Sequence, residues 1–289
     1  MIGIICAVIA SLLWSLNPAI IQRYRYVVRP TLFTGLRGLF AFLGLLPIVL
    51  IFSHNMFSSV SIKAILFIIA SAVLGPGVGD TAYAISIKLV GGSLAVVISY
   101  TYIFVAQFLA VVFLGERFTW LVAVGTALAF IGIVIALYRN TDSSTSKSSM
   151  AIGILYAAIS SITWGIASFM IKPIYSEIPD PLTISLTRIG IVTILFISIG
   201  LREIGSFSEV RGQIAPAAIT GILGWSLGMS LYVYAIGVAG VTITVTATAL
   251  TPIASQITIA LINKTKISWR YIAGSTLVAT GIILLAINT

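Results

Sequence analysis

Ile2-Gly3-Ile4-Ile5-Cys6-Ala7-Val8-Ile9-Ala10-Ser11-Leu12-Leu13-Trp14 opens the chain, and its pattern returns 150 positions later as Ile152-Gly153-Ile154-Leu155-Tyr156-Ala157-Ala158-Ile159-Ser160-Ser161-Ile162-Thr163-Trp164. One inserted residue on, Pro30 and Arg37 match Pro181 and Arg188. From Gly79 the offset settles at 149, pairing Tyr83 with Tyr232, Gln107 with Gln256, Trp120 with Trp269, Gly125 with Gly274 and Gly132 with Gly281. Each half carries five apolar spans, an odd number, so the second copy enters a bilayer in the opposite orientation. Inverted repeats meeting at the bilayer midplane are the architecture of secondary transporters.

Composition agrees with a membrane chain. Of 289 residues, 59% are hydrophobic and 8% charged, with mean hydropathy +1.15; a soluble domain has roughly a quarter of its residues charged. Ten stretches are long enough to cross a hydrocarbon core of about 30 Å. They lie near 2–21, 31–52, 62–86, 92–114, 118–138, 150–171, 181–201, 214–236, 239–262 and 267–287. In lipid each segment must satisfy its own backbone, so they are helices. The expected fold is an all-α integral membrane protein, ten helices in two inverted five-helix repeats around a central cavity. The first repeat is residues 1–138 and the second 150–289. The polar, Ser-rich stretch 139–149 reads as a flexible linker.

The net charge of +9 and pI near 9.9 do not point to nucleic acid, because Lys and Arg concentrate on cytoplasmic loops of membrane proteins. Connectors after odd-numbered spans carry eleven of these residues: Arg23, Arg25, Arg29, Lys88, Arg139, Lys147, Arg202, Arg211, Lys264, Lys266 and Arg270. Connectors after even-numbered spans carry three, Lys63, Arg117 and Lys172. The bias places both termini outside, and it reverses between the halves when the linker is left out. Cys6 lies inside the first span and cannot form an intramolecular disulfide, so it reads as a packing residue. There is no basic segment before the first apolar run, so this helix is expected to stay in the mature protein.

Leu12-Leu13-Trp14-Ser15-x-Asn17-Pro18 and its echo Ile162-Thr163-Trp164-Gly165 resemble the first helices of each repeat in EamA-type members of the drug/metabolite transporter superfamily. Leu114-Gly115-Glu116-Arg117-Phe118-Thr119, followed by Gly125 and Gly132, resembles that family's junction of helices four and five. Thr251-Pro252 matches its helix-nine proline. The resemblance spans essentially the whole chain. It implies a cavity lined by helices one, three, four, six, eight and nine, and transport of small metabolites such as amino acids or nucleobases, commonly outward, across the plasma membrane. It also implies cytoplasmic termini, against the loop charges. Asn263-Lys264-Thr265-Lys266 stands where many relatives keep a Gly-Glu pair, so the acidic position can be structural. Trp14, Asn17 and Trp164 fall where the family lines its cavity. Pro18 lies there too, and as a bare kink it needs no other role.

Asp80 is the only acidic residue well inside a span, in Gly75-Pro76-Gly77-Val78-Gly79-Asp80. An ionised carboxylate at bilayer depth usually faces an aqueous cavity, a partner or a proton path. Asp80 is therefore the candidate proton carrier. The competing reading is a helix break at the glycines, with Asp80 capping the next half-helix. Tyr83 shares its face, and Trp225, Met229 and Tyr232 form the matching face of helix eight. Tyr and Trp suit a metabolite cavity because an apolar body carries a polar tip; ordinary helix packing is the alternative. Trp120 and Trp269, at span starts, read as an interfacial belt.

Helix nine carries Thr244, Thr248, Thr251 and Ser255 on one face, and Pro252 leaves a carbonyl one turn earlier without its usual donor. Thr248 is taken as cavity-lining. Gln107 and Gln256, kept in both copies, either bind substrate or tie the helices of the two repeats together. Arg37 and Arg188 read first as snorkelling to the interface, and second as a salt bridge or anion contact. Gly125/Gly132 and Gly274/Gly281 make smooth faces, for packing within the chain or for a dimer seam.

An intramembrane enzyme needs paired titratable or metal-binding groups, and the spans offer neither; His54 falls in a loop. No catalytic residue, metal or cofactor is expected, and no nucleotide-binding motif supports direct ATP use. The sequence lacks the repeated filter of a channel. The expected partners are a small-molecule substrate and membrane lipid, with no nucleic acid, in a monomer or weak homodimer. A translocator of lipid or lipid-linked cargo with the same fold is the alternative function.

Overall fold

The chain's fold is described for residues 1–53, 60–137, 147–203, 207–263 and 269–287 of a computed structural model. His54, most of the Ser-rich stretch and Lys264–Lys266 lie outside these. Lys147–Ser149, expected in the linker, already belong to a helix.

Among the described residues, eight helices are long and apolar enough to cross a membrane: α1 (Ile2–Arg23), α2 (Pro30–Phe52), α3 (Ile62–Val90), α4 (Gly92–Leu114), α6 (Lys147–Glu177), α7 (Pro181–Gly200), α8 (Ser208–Ala239) and α9 (Val241–Ile262). Two more, α5 (Trp120–Leu137) and α10 (Trp269–Ile287), have the shorter apolar cores Trp120–Ile135 and Ala273–Leu285. Several helices run beyond the span expected from hydropathy. α8, for instance, starts at Ser208 rather than near 214, because polar residues extend it past the apolar window.

Local chemistry sets the boundaries. Pro30 and Pro181 open α2 and α7 at a position where no amide donor is needed. Asp180 caps α7, accepting from the amides of Leu182 (3.1 Å) and Thr183 (3.2 Å). α3 turns into α4 at Gly91 (φ 81°) and α8 into α9 at Gly240 (φ 84°), a backbone region open to glycine. Glu116 caps α9 across space: its two oxygens accept from the amides of Val241 (2.7 Å) and Thr242 (2.8 Å). The acidic position of Leu114-Gly115-Glu116 is thus a helix anchor. At the matching start of α4, Gln22 Oε1 accepts from the Gly92 amide at 3.3 Å.

Two devices recur in both halves. α3 widens into π-helical turns over Val73–Gly79, and α8 does so over Thr220–Met229. α4 is broken at Tyr100-Thr101 and α9 at Thr248-Ala249. In α9 the Thr248 carbonyl, which Pro252 cannot serve, accepts from the Thr251 amide at 2.9 Å. The competing reading for Asp80 is a helix break at the glycines, with the carboxylate capping the next half-helix. Instead the helix passes through the glycines without ending, and Asp80 makes no cap bond.

Packing runs between the halves. α2 lies along α7, α5 along α10, and α4 against α9. α1 packs on α8 and α9, as α6 packs on α3 and α4. At the α5–α10 seam the backbones nearly touch: a Cβ on Gly125 would lie 2.8 Å from the Gly281 carbonyl, and one on Gly132 would lie 2.5 Å from that of Gly274. Small residues allow such contact where no hydrophobic effect drives association. These glycines therefore serve a contact within the chain. Trp120 and Trp269 are both 71% exposed at their helix starts.

Candidate functional site

The helices of both halves converge on Asp80, which is buried in the first turn after the π segment of α3. Its Oδ2 accepts from Arg37 Nη1 (2.9 Å, α2) and Trp225 Nε1 (3.1 Å, α8), and its Oδ1 from Trp164 Nε1 (2.8 Å, α6). Four helices thus meet on one carboxylate. A charge buried among apolar helices persists only when it is paired and hydrogen-bonded in this way. Arg37 is 2% exposed, and its guanidinium carbon stands 4.5 Å from the centre of the Trp225 ring. Snorkelling, the first reading for Arg37 and Arg188, is therefore corrected: both are buried. The positions two turns into α2 and α7 face the neighbouring helices rather than an interface.

The π turns make this convergence possible. With more than four residues per turn they change which side chains face inward, and their glycines leave room for indoles. A Cβ on Gly79 would fall 2.5 Å from Trp164 Cδ1, and one on the equivalent Gly228 would fall 2.8 Å from Trp14 Nε1. Trp14 donates to the Gly224 carbonyl at 2.8 Å, inside the π segment of α8, where backbone acceptors are freed from the α pattern. The two indoles are thus used alike, one bonding a side chain of α3 and the other the backbone of α8. The ring contacts pair off too: Trp14 with Tyr232 at 5.0 Å, and Trp164 with Tyr83 at 5.1 Å.

Around this cluster lies a cavity whose space for the centres of water molecules is about 90 Å³. A cavity needs roughly 10–15 Å³ of such space to admit one water, so this one has room for water or for a small solute in its place. Its wall includes Trp14, Asn17, Asp80, Tyr83, Trp164, Trp225, Met229 and Tyr232. Gln107, Thr248 and Gln256, read from the sequence as cavity-lining, are not part of the wall. Gln107 Nε2 donates to Thr126 Oγ1 (2.8 Å) and Thr246 Oγ1 (2.7 Å), tying α4 to α5 and α9. Gln256 accepts from Ser93 Oγ at 3.4 Å, again between α9 and α4. Thr248 stands one step behind the wall, its hydroxyl bonded to that of Tyr102. Of the rest of the hydroxyl stripe, Thr251 reaches the wall, and Ser255 Oγ donates to the Pro252 carbonyl at 2.7 Å.

Sequence reasoning missed Tyr100 and Tyr102, which lie at the break in α4 and set their rings edge-on to Trp164 at 6.1 Å and 5.9 Å. It also missed Ser168, one turn after Trp164, which accepts from the Tyr232 hydroxyl at 2.8 Å. A Tyr-Thr-Tyr run in an apolar span was the available signal. Chemically, the site offers aromatic faces, hydroxyls, one neutralised ion pair and a second arginine, Arg188. Among the described residues no group of three or more His, Cys, Asp or Glu could hold a metal ion.

The sequence profile of the EamA-like transporter family matches residues 1–138 and again 151–287. A protein of Archaeoglobus fulgidus described as an uncharacterized transporter is 24% identical over 288 residues, covering 99% of this chain and 98% of its own length. A solved crystal structure superposes with a TM-score of 0.74 over 99% of this chain and 96% of that one; at 17% identity the likeness is one of fold. With both halves matched and helices throughout, the chain belongs to the EamA-like transporter family, multi-pass membrane proteins that carry solutes and are not enzymes.

Proposed function

We propose that the protein is a secondary active transporter that exports small metabolites, amino acids, nucleobases or similar solutes, across the plasma membrane by alternating access. In this reading α5 and α10 cross the bilayer with the other eight helices, and residues 1–138 and 150–289 form two inverted repeats that rock about a central site. The observation that carries it is the cavity itself. Both halves contribute to its wall, and the two devices that shape it, the π turns and the helix breaks, recur in each half. Proteins built on repeated halves bind their cargo at the junction, near the midplane. The wall combines a buried ion pair with tyrosine hydroxyls, which suits a polar solute better than a lipid.

In this reading Asp80 is the proton carrier. Protonation would remove the charge that holds Arg37 and weaken the bonds from the indoles, and so loosen α2, α6 and α8 from α3. The test is counterflow and gradient-driven uptake in proteoliposomes, with radiolabelled amino acids and nucleobases. Wild-type protein should exchange at least one labelled solute and accumulate it against a gradient when a pH difference is imposed. Asp80→Asn should keep exchange and lose accumulation. If that variant still accumulates solute, another group carries the proton; if no solute exchanges in wild-type vesicles, the transport reading fails.

A further inference from the structure

Arg188 is the repeat counterpart of Arg37, but Met229 occupies the position equivalent to Asp80, so the second half has no matching carboxylate. Arg188 is 3% exposed in the cavity wall, and its Nε and Nη1 have no hydrogen-bond partner among the described residues. Nη2 donates to a single backbone acceptor, the Ser71 carbonyl, at 3.3 Å. The ionisable Asp and Arg side chains of the wall are Arg37, Asp80 and Arg188, so once Arg37 and Asp80 cancel, the wall keeps a formal charge of +1. A guanidinium is not discharged at physiological pH. A buried cation left without a counter-ion is unfavourable, and groups at this depth face a ligand or pathway by default.

We infer that Arg188 anchors the carboxylate of the transported solute, and that the cargo is therefore a small molecule bearing a carboxylate. This deepens the transport reading and rests on it. The carboxylate would supply in the second half what Asp80 supplies in the first, a counter-charge held among indole rings. Asn17 adds an orientation: it too belongs to the wall, and its buried Oδ1, without a partner among the described residues, would accept from a donor on the same solute. The space available, about 90 Å³, limits the cargo to a small one.

Binding can be read without transport, from the fluorescence of the three wall tryptophans, Trp14, Trp164 and Trp225. The probes are acid and amide pairs of nearly equal shape: lactate and lactamide, 3-phenylpropionate and 3-phenylpropionamide, with inorganic phosphate alongside. At least one acid should bind wild-type protein in detergent roughly tenfold or more tightly than its amide, the discrimination expected of a charge-assisted hydrogen bond. Arg188→Gln should abolish that preference and Arg188→Lys should keep part of it. Equal binding of acid and amide by wild-type protein overturns the inference whatever the variants do, so it stays testable if Arg188→Gln misfolds. Binding of phosphate alone, no binding by any probe at millimolar concentration, or an acid preference surviving Arg188→Gln overturns it as well. Exchange of a neutral solute in proteoliposomes without an acid preference would sink this inference and leave transport standing.

Discussion

Arg37 and Asp80 come from different helices, α2 and α3, and meet at 2.9 Å where neither is more than about a tenth exposed. Their bond closes a set in which Trp164 and Trp225 donate to the same carboxylate. Breaking such a pair leaves one charge uncompensated, whereas removing both charges does not. Arg37→Met or Asp80→Ala alone should therefore destabilise the protein by about 3–5 kcal/mol. The double variant should lose clearly less than the sum. Unfolding in detergent, followed for the full cycle, checks this; additive losses would show that the two side chains do not depend on each other.

Trp225 and Gln256 were read from the sequence as equivalent candidates, and the structure separates them. Trp225 lies in the wall and bonds Asp80; Gln256 bonds Ser93 between α9 and α4. Trp225→Ala should weaken solute affinity roughly tenfold, the scale of one hydrogen bond to a charged group. Gln256→Ala should leave affinity unchanged and lower thermal stability instead. Competition counterflow with the solute found by exchange gives both affinities.

Glu116 tests whether a family-like motif can be structural. Glu116→Ala leaves the amides of Val241 and Thr242 without their acceptors. It should reduce stability by about 1–2 kcal/mol, as for loss of a helix cap. Hydrogen exchange should report the loss locally, with faster exchange at Val241 and Thr242 and little change in α2 or α7.

The α5–α10 seam allows a steric test. Gly132→Ala would place a methyl group against the Gly274 carbonyl, which must move. Overpacking of this kind lowers stability by about 1–3 kcal/mol. Ile131→Ala, at a neighbouring position that is 49% exposed, should change it little. Equal effects would mean that the two helices are not held at that distance.

The fold was largely legible because hydropathy and repetition are strong, additive signals over some twenty residues each. Part of the wall was legible for a related reason: Trp225, Met229 and Tyr232 keep helical spacing even across a π segment, whereas Tyr100 and Tyr102 sit at a helix break. The arginines were not. Snorkelling and salt bridging differ only in which way a long side chain turns, and that depends on Asp80, more than forty positions from Arg37 in sequence. Gln107 and Gln256 were left open between two readings for the opposite reason. An amide kept in both halves signals partners, but not whether those partners are a solute or the next helix. The register changes were invisible because Gly-Pro-Gly in a span suggests a break as readily as a widened turn.

The widened turns also make the site depend on the length of the chain as much as on its composition. Each residue of an α-helix advances about 100° around the axis. Excising one residue from Val73–Gly79 would let the strand of turns close to ordinary pitch and swing Asp80 by about that angle, away from both indoles and the guanidinium. Every side chain at the junction would still be present in such a protein, and the junction itself would be gone.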